Sequence, residues 1–205
     1  HSTTGKAIAH DVAAQIRPLL AVQRAYLGGT LPVKNYTFLI YHNPSDREGS
    51  SMGDGLEHAS STLILLCMPL DPAAIARSVY GIASHEFFHT ILPLSIHSEE
   101  IEHYDFHAPK MSRHLWLYEG MTEYFAIHMP VKQGRQTMDE FLNVVNDKIA
   151  MMRKFSDDIA LTTLSQNAME RQDQYYNFYL KGTLFCMGLD IALRERSNGD
   201  YGAQQ

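Results

Sequence analysis

The order of the predicted elements indicates an α+β fold, with a small β-sheet near the N-terminus and a mainly helical second half. The β-branched and apolar runs that are typical of strands all lie within the first seventy residues. After them, segments with apolar residues three and four positions apart predict helices almost to the end of the chain. Strands that come first, rather than alternating with helices, are typical of α+β proteins.

The elements of the first part follow from apolar spacing and from turn residues. Apolar residues at helical spacing predict a helix within residues 5–29, which a pair of glycines ends. Two runs rich in β-branched and apolar residues predict strands at 35–44 and 60–70. The Gly- and Ser-rich residues 45–59 between them predict a loop that ends in a short edge strand at Leu56 to His58.

The rest of the chain is predicted to be helical apart from a polar, His-rich loop at 93–110. The helices are expected at residues 71–92, 113–129, 137–155 and 174–199. Pro72 suits the first turn of the first of these, and Pro130 is expected to end the second. Thr137 and Glu140 have the spacing of a capping box at the start of the third.

Composition narrows the class of protein. The chain has 205 residues, 45% of them hydrophobic and 20% charged, as in ordinary globular domains. Its formal net charge is −6 and it has no long basic run, which argues against binding to nucleic acid. No apolar run approaches the roughly 20 residues that a membrane span needs. Two cysteines, Cys67 and Cys186, do not make a disulfide framework and are expected to be buried apolar residues.

The N-terminus shows no signal peptide and begins with His1 rather than methionine. We therefore interpret the chain as a domain of a longer protein. Its compartment stays open between the bacterial cytoplasm and the cell envelope.

Residues 85 to 89 read His-Glu-Phe-Phe-His within the first of the later helices. On a helix, residues four apart lie on one face, so His85 and His89 could direct both imidazoles at one metal ion. Glu86 would then lie beside the ion rather than among its ligands. The alternative is an amphipathic helix that happens to carry two histidines.

Glu119 is the candidate for a third metal ligand. It follows His89 by 30 positions, on a separate predicted helix, among apolar and aromatic residues where an unpaired carboxylate is costly to bury. Two imidazoles and one carboxylate leave the fourth position of a zinc ion open, as a catalytic site requires. Glu123, four residues later on the same face, could accept the free N–H of a ligand histidine, or could be a solvated glutamate.

The HEFFH motif, the delayed WLYEGMTEY segment and the YLKG segment at 179–182 together resemble the gluzincin metallopeptidases. The long interval between the second histidine and the glutamate is similar to that of the glycyl-aminopeptidase family. The LPVKNYTFLIYH segment, GLEH at 55–58 and the C-terminal helix also resemble this family, in the family's order. After HEFFH the chain departs from the family, which commonly continues with Trp-Asn.

The resemblance implies one thermolysin-like catalytic domain over residues 1–205. Residues 1–130 would hold the sheet and the zinc-binding helices, and 131–205 a helical lobe. It implies one zinc ion per chain and a peptide substrate, with hydrolysis most typical of an aminopeptidase that removes small residues such as Gly or Ala. Family members usually carry an N-terminal β domain and often a C-terminal PDZ-like domain beside this region.

The resemblance also assigns roles to residues. His85, His89 and Glu119 would bind the zinc, and Glu86 would be the general base. Tyr179 in YLKG would hydrogen-bond the oxyanion, although Tyr175 and Tyr176 are close to it in sequence. Glu57, with Gly55 in the same GLEH motif, would bind the substrate's amino terminus.

Three alternatives remain open at this stage. The same site could cleave internal bonds as an endopeptidase, or the domain could be an inactive zinc-binding scaffold, or the chain could bind no metal. His103 and His107 also stand four apart, but a loop position makes them more typical of surface histidines.

Overall fold

The computed structural model describes residues 1–3, 9–43, 52–67 and 71–205. Its contacts divide the chain into two compact units, His1–Leu94 and Ser95–Gln205. The first unit holds the sheet and two long helices, and the second is helical, so the α+β class with a mainly helical second half is confirmed. The single domain with a division near residue 130 stays a prediction.

The first unit contains a three-stranded sheet. Its strands are β1 (Thr37–His42), β2 (Met52–His58) and β3 (Ser61–Cys67), in the order β1-β3-β2. β1 runs parallel to β3, while β2 and β3 form an antiparallel hairpin. The central strand β3 buries Ile64, Leu66 and Cys67.

Two helices complete the first unit, α1 (Ala9–Tyr26) and α2 (Pro72–Phe88). α2 packs on β2 and β3, and α1 packs on α2. The Asp71 carboxylate accepts a hydrogen bond from the Ala73 N–H at 3.1 Å and caps α2. The expected bounds of both helices are confirmed to within a few residues, given that residues 4–8 lie outside the described part.

The edge strand predicted at Leu56 to His58 is confirmed, but β2 begins at Met52, so the predicted loop is wrong over residues 52–55. Glycines lower strand propensity, which is why the sequence favoured a loop. Here the glycines on one face of β2 meet α2: a Cβ on Gly53 would lie 2.6 Å from Ile82 Cδ1. The close approach of the strand to the helix therefore requires them. Residues 44–51 lie outside the described part.

The second unit holds five α-helices among its described residues. They are α3 (Glu99–Glu102), α4 (Leu115–Lys132), α5 (Met138–Met152), α6 (Leu161–Gln166) and α7 (Thr183–Arg196). α4 packs on α5, α6 and α7, and it is buried almost without a break from Tyr118 to Phe125, as expected for the central helix of a bundle. The capping box of α5 is confirmed, with Thr137 and Glu140 bonded reciprocally.

The helix expected to end at Pro130 continues to Lys132, so that prediction is wrong at its C-terminus. Proline lacks an N–H but its carbonyl still accepts, and the Arg135 N–H donates to the Pro130 oxygen at 2.8 Å. Gly134, at φ +64, then ends the turn in the left-handed conformation that favours glycine.

The helix predicted over 174–199 is confirmed from Phe178 to Arg196, but its first turn is π-helical and residues 175–177 lie outside it. A 3₁₀ turn at Gln172–Gln174 is followed by a π-helical turn at Phe178–Gly182 and then by α7. α6 and the short α3 were not predicted either. No helix in the described part of the chain is both long and apolar enough to cross a membrane.

Candidate active site

Two imidazoles lie one turn apart near the C-terminal end of α2. His85 and His89 are only 7% and 3% exposed, and their ring centroids are 4.9 Å apart with the planes at 78°. Phe87 and Phe88 between them are fully buried and fix this end of the helix. The geometry permits both histidines to present a nitrogen to one ion.

The tautomer of His89 is set by its surroundings. Its Nδ1 lies 2.8 Å from the Leu92 carbonyl oxygen, in the turn that follows α2. Because a carbonyl can only accept, Nδ1 carries the proton and Nε2 keeps its lone pair. A metal-binding histidine needs this arrangement, in which one nitrogen is held by an acceptor and the other is available to bind.

Glu86 lies against strand β2 of the same unit. A Cβ added to Gly55 would lie 2.5 Å from Glu86 Cδ, so only a glycine allows the carboxylate its position. Gly53 and Gly55, two residues apart on β2, are separated by about 6.7 Å along the strand. Four residues of α2 span a similar length, about 6 Å, so the two glycines face successive turns of the helix. This register brings the next residue on that face, Glu57, to the same end of α2.

The two carboxylates of the first unit meet near His89. One ligand-type atom from each of Glu57, Glu86 and His89 lies within 4.8 Å of the others. The structure thus places the predicted base beside the predicted substrate-binding glutamate. Two carboxylates at this distance make a strongly acidic pocket, suited to a cation or an ammonium group.

Tyr36 borders this acidic pocket, a position that no sequence motif predicted. Its phenol donates a hydrogen bond to the Glu86 backbone oxygen at 3.4 Å, and its ring packs on Phe87. Burial, then the charges of Glu86 and Glu57, raise the pKa of Tyr36 well above its ordinary value. The phenol therefore stays protonated and remains a donor. An isolated tyrosine before a strand offers no motif from which this position could be inferred.

In the second unit, α4 carries the other two predicted glutamates. Glu119 is 8% exposed, which agrees with the expected burial of this carboxylate. Glu123, one turn later, accepts a hydrogen bond from Lys148 Nζ at 2.6 Å. Its predicted bond to a ligand histidine stays a prediction.

Tyr179 lies in the π-helical turn. The carbonyl oxygen of Tyr179 accepts hydrogen bonds from Lys148 Nζ at 3.0 Å and from Thr183 Oγ1 at 2.7 Å. Tyr175 packs on Phe178 in the apolar cluster, and Tyr176 is half exposed. Burial and the charge of Glu123 raise the pKa of Tyr176. The choice of Tyr179 among the three tyrosines stays a prediction.

Lys148 is a second residue that the sequence reasoning missed. Within the helix predicted over 137–155, Lys148 lies on the buried face with Phe141 and Val145. Lys148 follows Phe141 by seven residues and Val145 by three, so all three lie on the same helix face. This spacing could have indicated a buried ammonium group.

The donor set fits a metal ion. His85 and His89 offer two buried imidazoles on α2, and Glu119 offers a buried carboxylate on α4. Zinc is bound by this mixture in catalytic sites, with one position left for water or substrate. His103 and His107 are exposed, and neither belongs to a metal-binding group among the described residues.

Comparison with known proteins agrees with this chemistry. Residues 78–185, more than half of the chain, match the model of the M61 glycyl aminopeptidase family. The match covers the histidine pair, the α4 glutamates and the π-helical turn. No curated protein shows significant similarity to the chain.

A similar fold occurs in the crystal structure of an aminopeptidase N family protein from Idiomarina loihiensis. The TM-score is 0.76 at 21% sequence identity, over 94% of this chain and 35% of that one. At this identity the likeness concerns the fold. The chain spans about a third of the length of that protein.

Proposed function

Because this chain belongs to the M61 glycyl aminopeptidase family, we propose that it provides the catalytic site of a zinc-dependent aminopeptidase. The substrate would be a peptide with a small N-terminal residue such as Gly or Ala. The observation that carries the proposal is the acidic end of α2, where a buried Glu86 adjoins Glu57 and a His89 whose Nδ1 is held by the Leu92 carbonyl oxygen. We also propose that residues 1–205 act as one thermolysin-like domain within a longer protein.

His85, His89 and Glu119 would hold the metal in this proposal, and Glu123, which also accepts a hydrogen bond from Lys148, would orient a ligand histidine. A zinc ion bound there would supply a Lewis acid that lowers the pKa of water to about 7. The support lies in the donor types and in the burial of all three side chains.

Glu86 would move the proton. Its carboxylate would accept a proton from the attacking water and then deliver it to the leaving amine, and a positioned base of this kind contributes roughly 10²–10⁴-fold. The phenol of Tyr179 would donate a hydrogen bond to the oxygen of the substrate carbonyl as negative charge develops there. The low exposure of Glu86 limits competing water.

Glu57 would select the free amino terminus of the substrate. A carboxylate forms charge-assisted hydrogen bonds with an α-ammonium group, and an internal residue offers no such cation. Among the described residues β2 pairs on one side only, with β3, so its other edge could bind an extended peptide. Gly55 and Glu57 lie on this strand.

Two measurements test the proposal together. Glu86→Gln should retain zinc and lose turnover, and a fully active Glu86→Gln protein would contradict the role of the base. One peptide, offered with a free and with an N-acetylated amino terminus, separates the modes of cleavage. Aminopeptidase action predicts that acetylation abolishes cleavage, whereas an endopeptidase would cut both and an inactive scaffold neither.

A further inference from the structure

Lys148 has an unusual position for a lysine, because its side chain is nine-tenths buried within the helical unit. Burying an ammonium group is costly unless it is paired and hydrogen-bonded. Lys148 Nζ donates hydrogen bonds to two acceptors, the Glu123 carboxylate on α4 and the main-chain carbonyl of Tyr179, which offset this cost. It therefore joins three elements of the unit through one charged group.

The main-chain contact falls in the π-helical turn, a distortion that is frequent at functional sites. The turn packs against both α4 and α5. At its centre, the Tyr179 carbonyl is held by side-chain donors, Lys148 from α5 and Thr183 from within the same segment. Because these bonds hold the carbonyl, they hold the backbone of Tyr179 and so restrict the orientation of its phenol side chain.

A second contact fixes the other end of the turn. A Cβ on Gly120 would lie 2.5 Å from the Gly182 carbonyl carbon, so the two backbones touch. Gly120 directly follows Glu119 on α4. Lys148 and the glycine contact together hold the turn on the helix that carries Glu119.

We propose that Lys148 is a positioning residue, whose ammonium group ties Glu123 to the Tyr179 carbonyl and so sets the Tyr179 phenol relative to Glu119. The inference rests on the proposed function, in which Tyr179 acts on the oxyanion and Glu119 binds the metal. Lys148 itself contacts neither substrate nor metal in this scheme.

A double-mutant cycle on the zinc-loaded protein tests the proposal. Lys148→Met and Tyr179→Phe should each lower kcat by about 10²-fold with little change in KM, because each affects a hydrogen bond made in the transition state. The double variant should be no slower than Tyr179→Phe alone, since Lys148 acts through that phenol. The proposal would be overturned if the reductions in kcat of the two single variants multiplied in the double variant. It would also be overturned if Lys148→Met had a normal kcat.

Two further variants separate positioning from general damage. Lys148→Arg keeps the charge and the donors and should recover most of kcat. Arg194→Met breaks another ion pair of the same unit, with Asp190 one turn away on α7. It should lower stability and leave kcat unchanged.

A readout independent of peptidase activity completes the test. The NMR signal of the Tyr179 ring, assigned by its loss in Tyr179→Phe, should shift in Lys148→Met and stay in place in Arg194→Met. An unmoved signal in Lys148→Met would overturn the positioning role. A shifted signal in a protein without any peptidase activity would support the positioning role and reject the proposed function.

Discussion

The backbone of Gly55 in β2 lies directly against the side chain of Glu86 in α2, with no room for a methyl group between them. The strand thereby restricts the positions that the Glu86 carboxylate can occupy. A base that must take up and release one proton during each turnover depends on such a fixed position.

Gly55→Ala should therefore displace the Glu86 carboxylate without changing any proposed metal ligand. We expect kcat to fall by at least about 10²-fold, the lower range for a positioned base, while the zinc content stays the same. Gly53→Ala is the matched control, because its methyl would meet Ile82 Cδ1 on the same helix. It should cost stability and leave kcat near its original value. Equal kcat for Gly55→Ala and the native protein would show that this contact does not set the position of the base.

The contact between Gly120 and Gly182 leads to a second prediction. Gly120→Ala would normally stabilise a helix interior by about 0.5–1 kcal/mol, but here the new methyl meets the Gly182 main chain. We expect a net loss of about 1–3 kcal/mol, the usual cost of overpacking, measured by urea unfolding. Gly188→Ala, with open space around it on α7, should be neutral or stabilising. A stable Gly120→Ala protein would mean that the turn can move away from α4.

The sequence predicted the part of the site that depends on local spacing. His85, Glu86 and His89 are neighbours on one helix, so their relation follows from the helical repeat alone. The positions of β2 and of the π-helical turn could not be inferred in this way. They depend on glycines that let two parts of the chain, distant in sequence, come close together. Glycines of β2 allow it to approach α2, and Gly120 and Gly182 allow the π-helical turn to approach α4.

Asp190 in α7 gives a prediction about pH. It accepts hydrogen bonds from the Tyr124 hydroxyl at 2.7 Å, from Arg194 Nε at 2.8 Å and from the Ala203 N–H at 2.6 Å. Burial alone would raise the pKa of Asp190, but the hydrogen bonds from Arg194, Tyr124 and Ala203 outweigh it and lower the pKa. The ionised carboxylate therefore stabilises the folded state above its ordinary pKa of 3.8, and this contribution is lost as the pH falls through the lower, folded-state pKa.

Asp190→Asn should accordingly reduce the free energy of unfolding at pH 7 by about 2 kcal/mol, the order of one charge-assisted hydrogen bond. The difference from the native protein should shrink as the pH approaches 3. Urea unfolding at both pH values measures it. Asp147→Asn, at an exposed position of α5, should change little at either pH. A difference that is the same at pH 3 and pH 7 would contradict the ionised state of Asp190.

Metal content is the prediction on which the proposed chemistry depends most. The native protein should hold about one zinc per chain by mass spectrometry, and Glu119→Ala should lose it, because two imidazoles alone bind zinc weakly. Glu102→Ala, at an exposed glutamate of the same unit, should keep it.

Zinc at about 100 times its Kd would stabilise the fold by roughly 2.7 kcal/mol, so a chelator should lower the Tm of the native protein and not that of Glu119→Ala. Zinc retained in Glu119→Ala would point to the other carboxylates near His89, Glu57 and Glu86, as ligands. A native protein that takes up no zinc from a zinc-containing buffer would contradict the peptidase and favour the alternative in which the chain binds no metal.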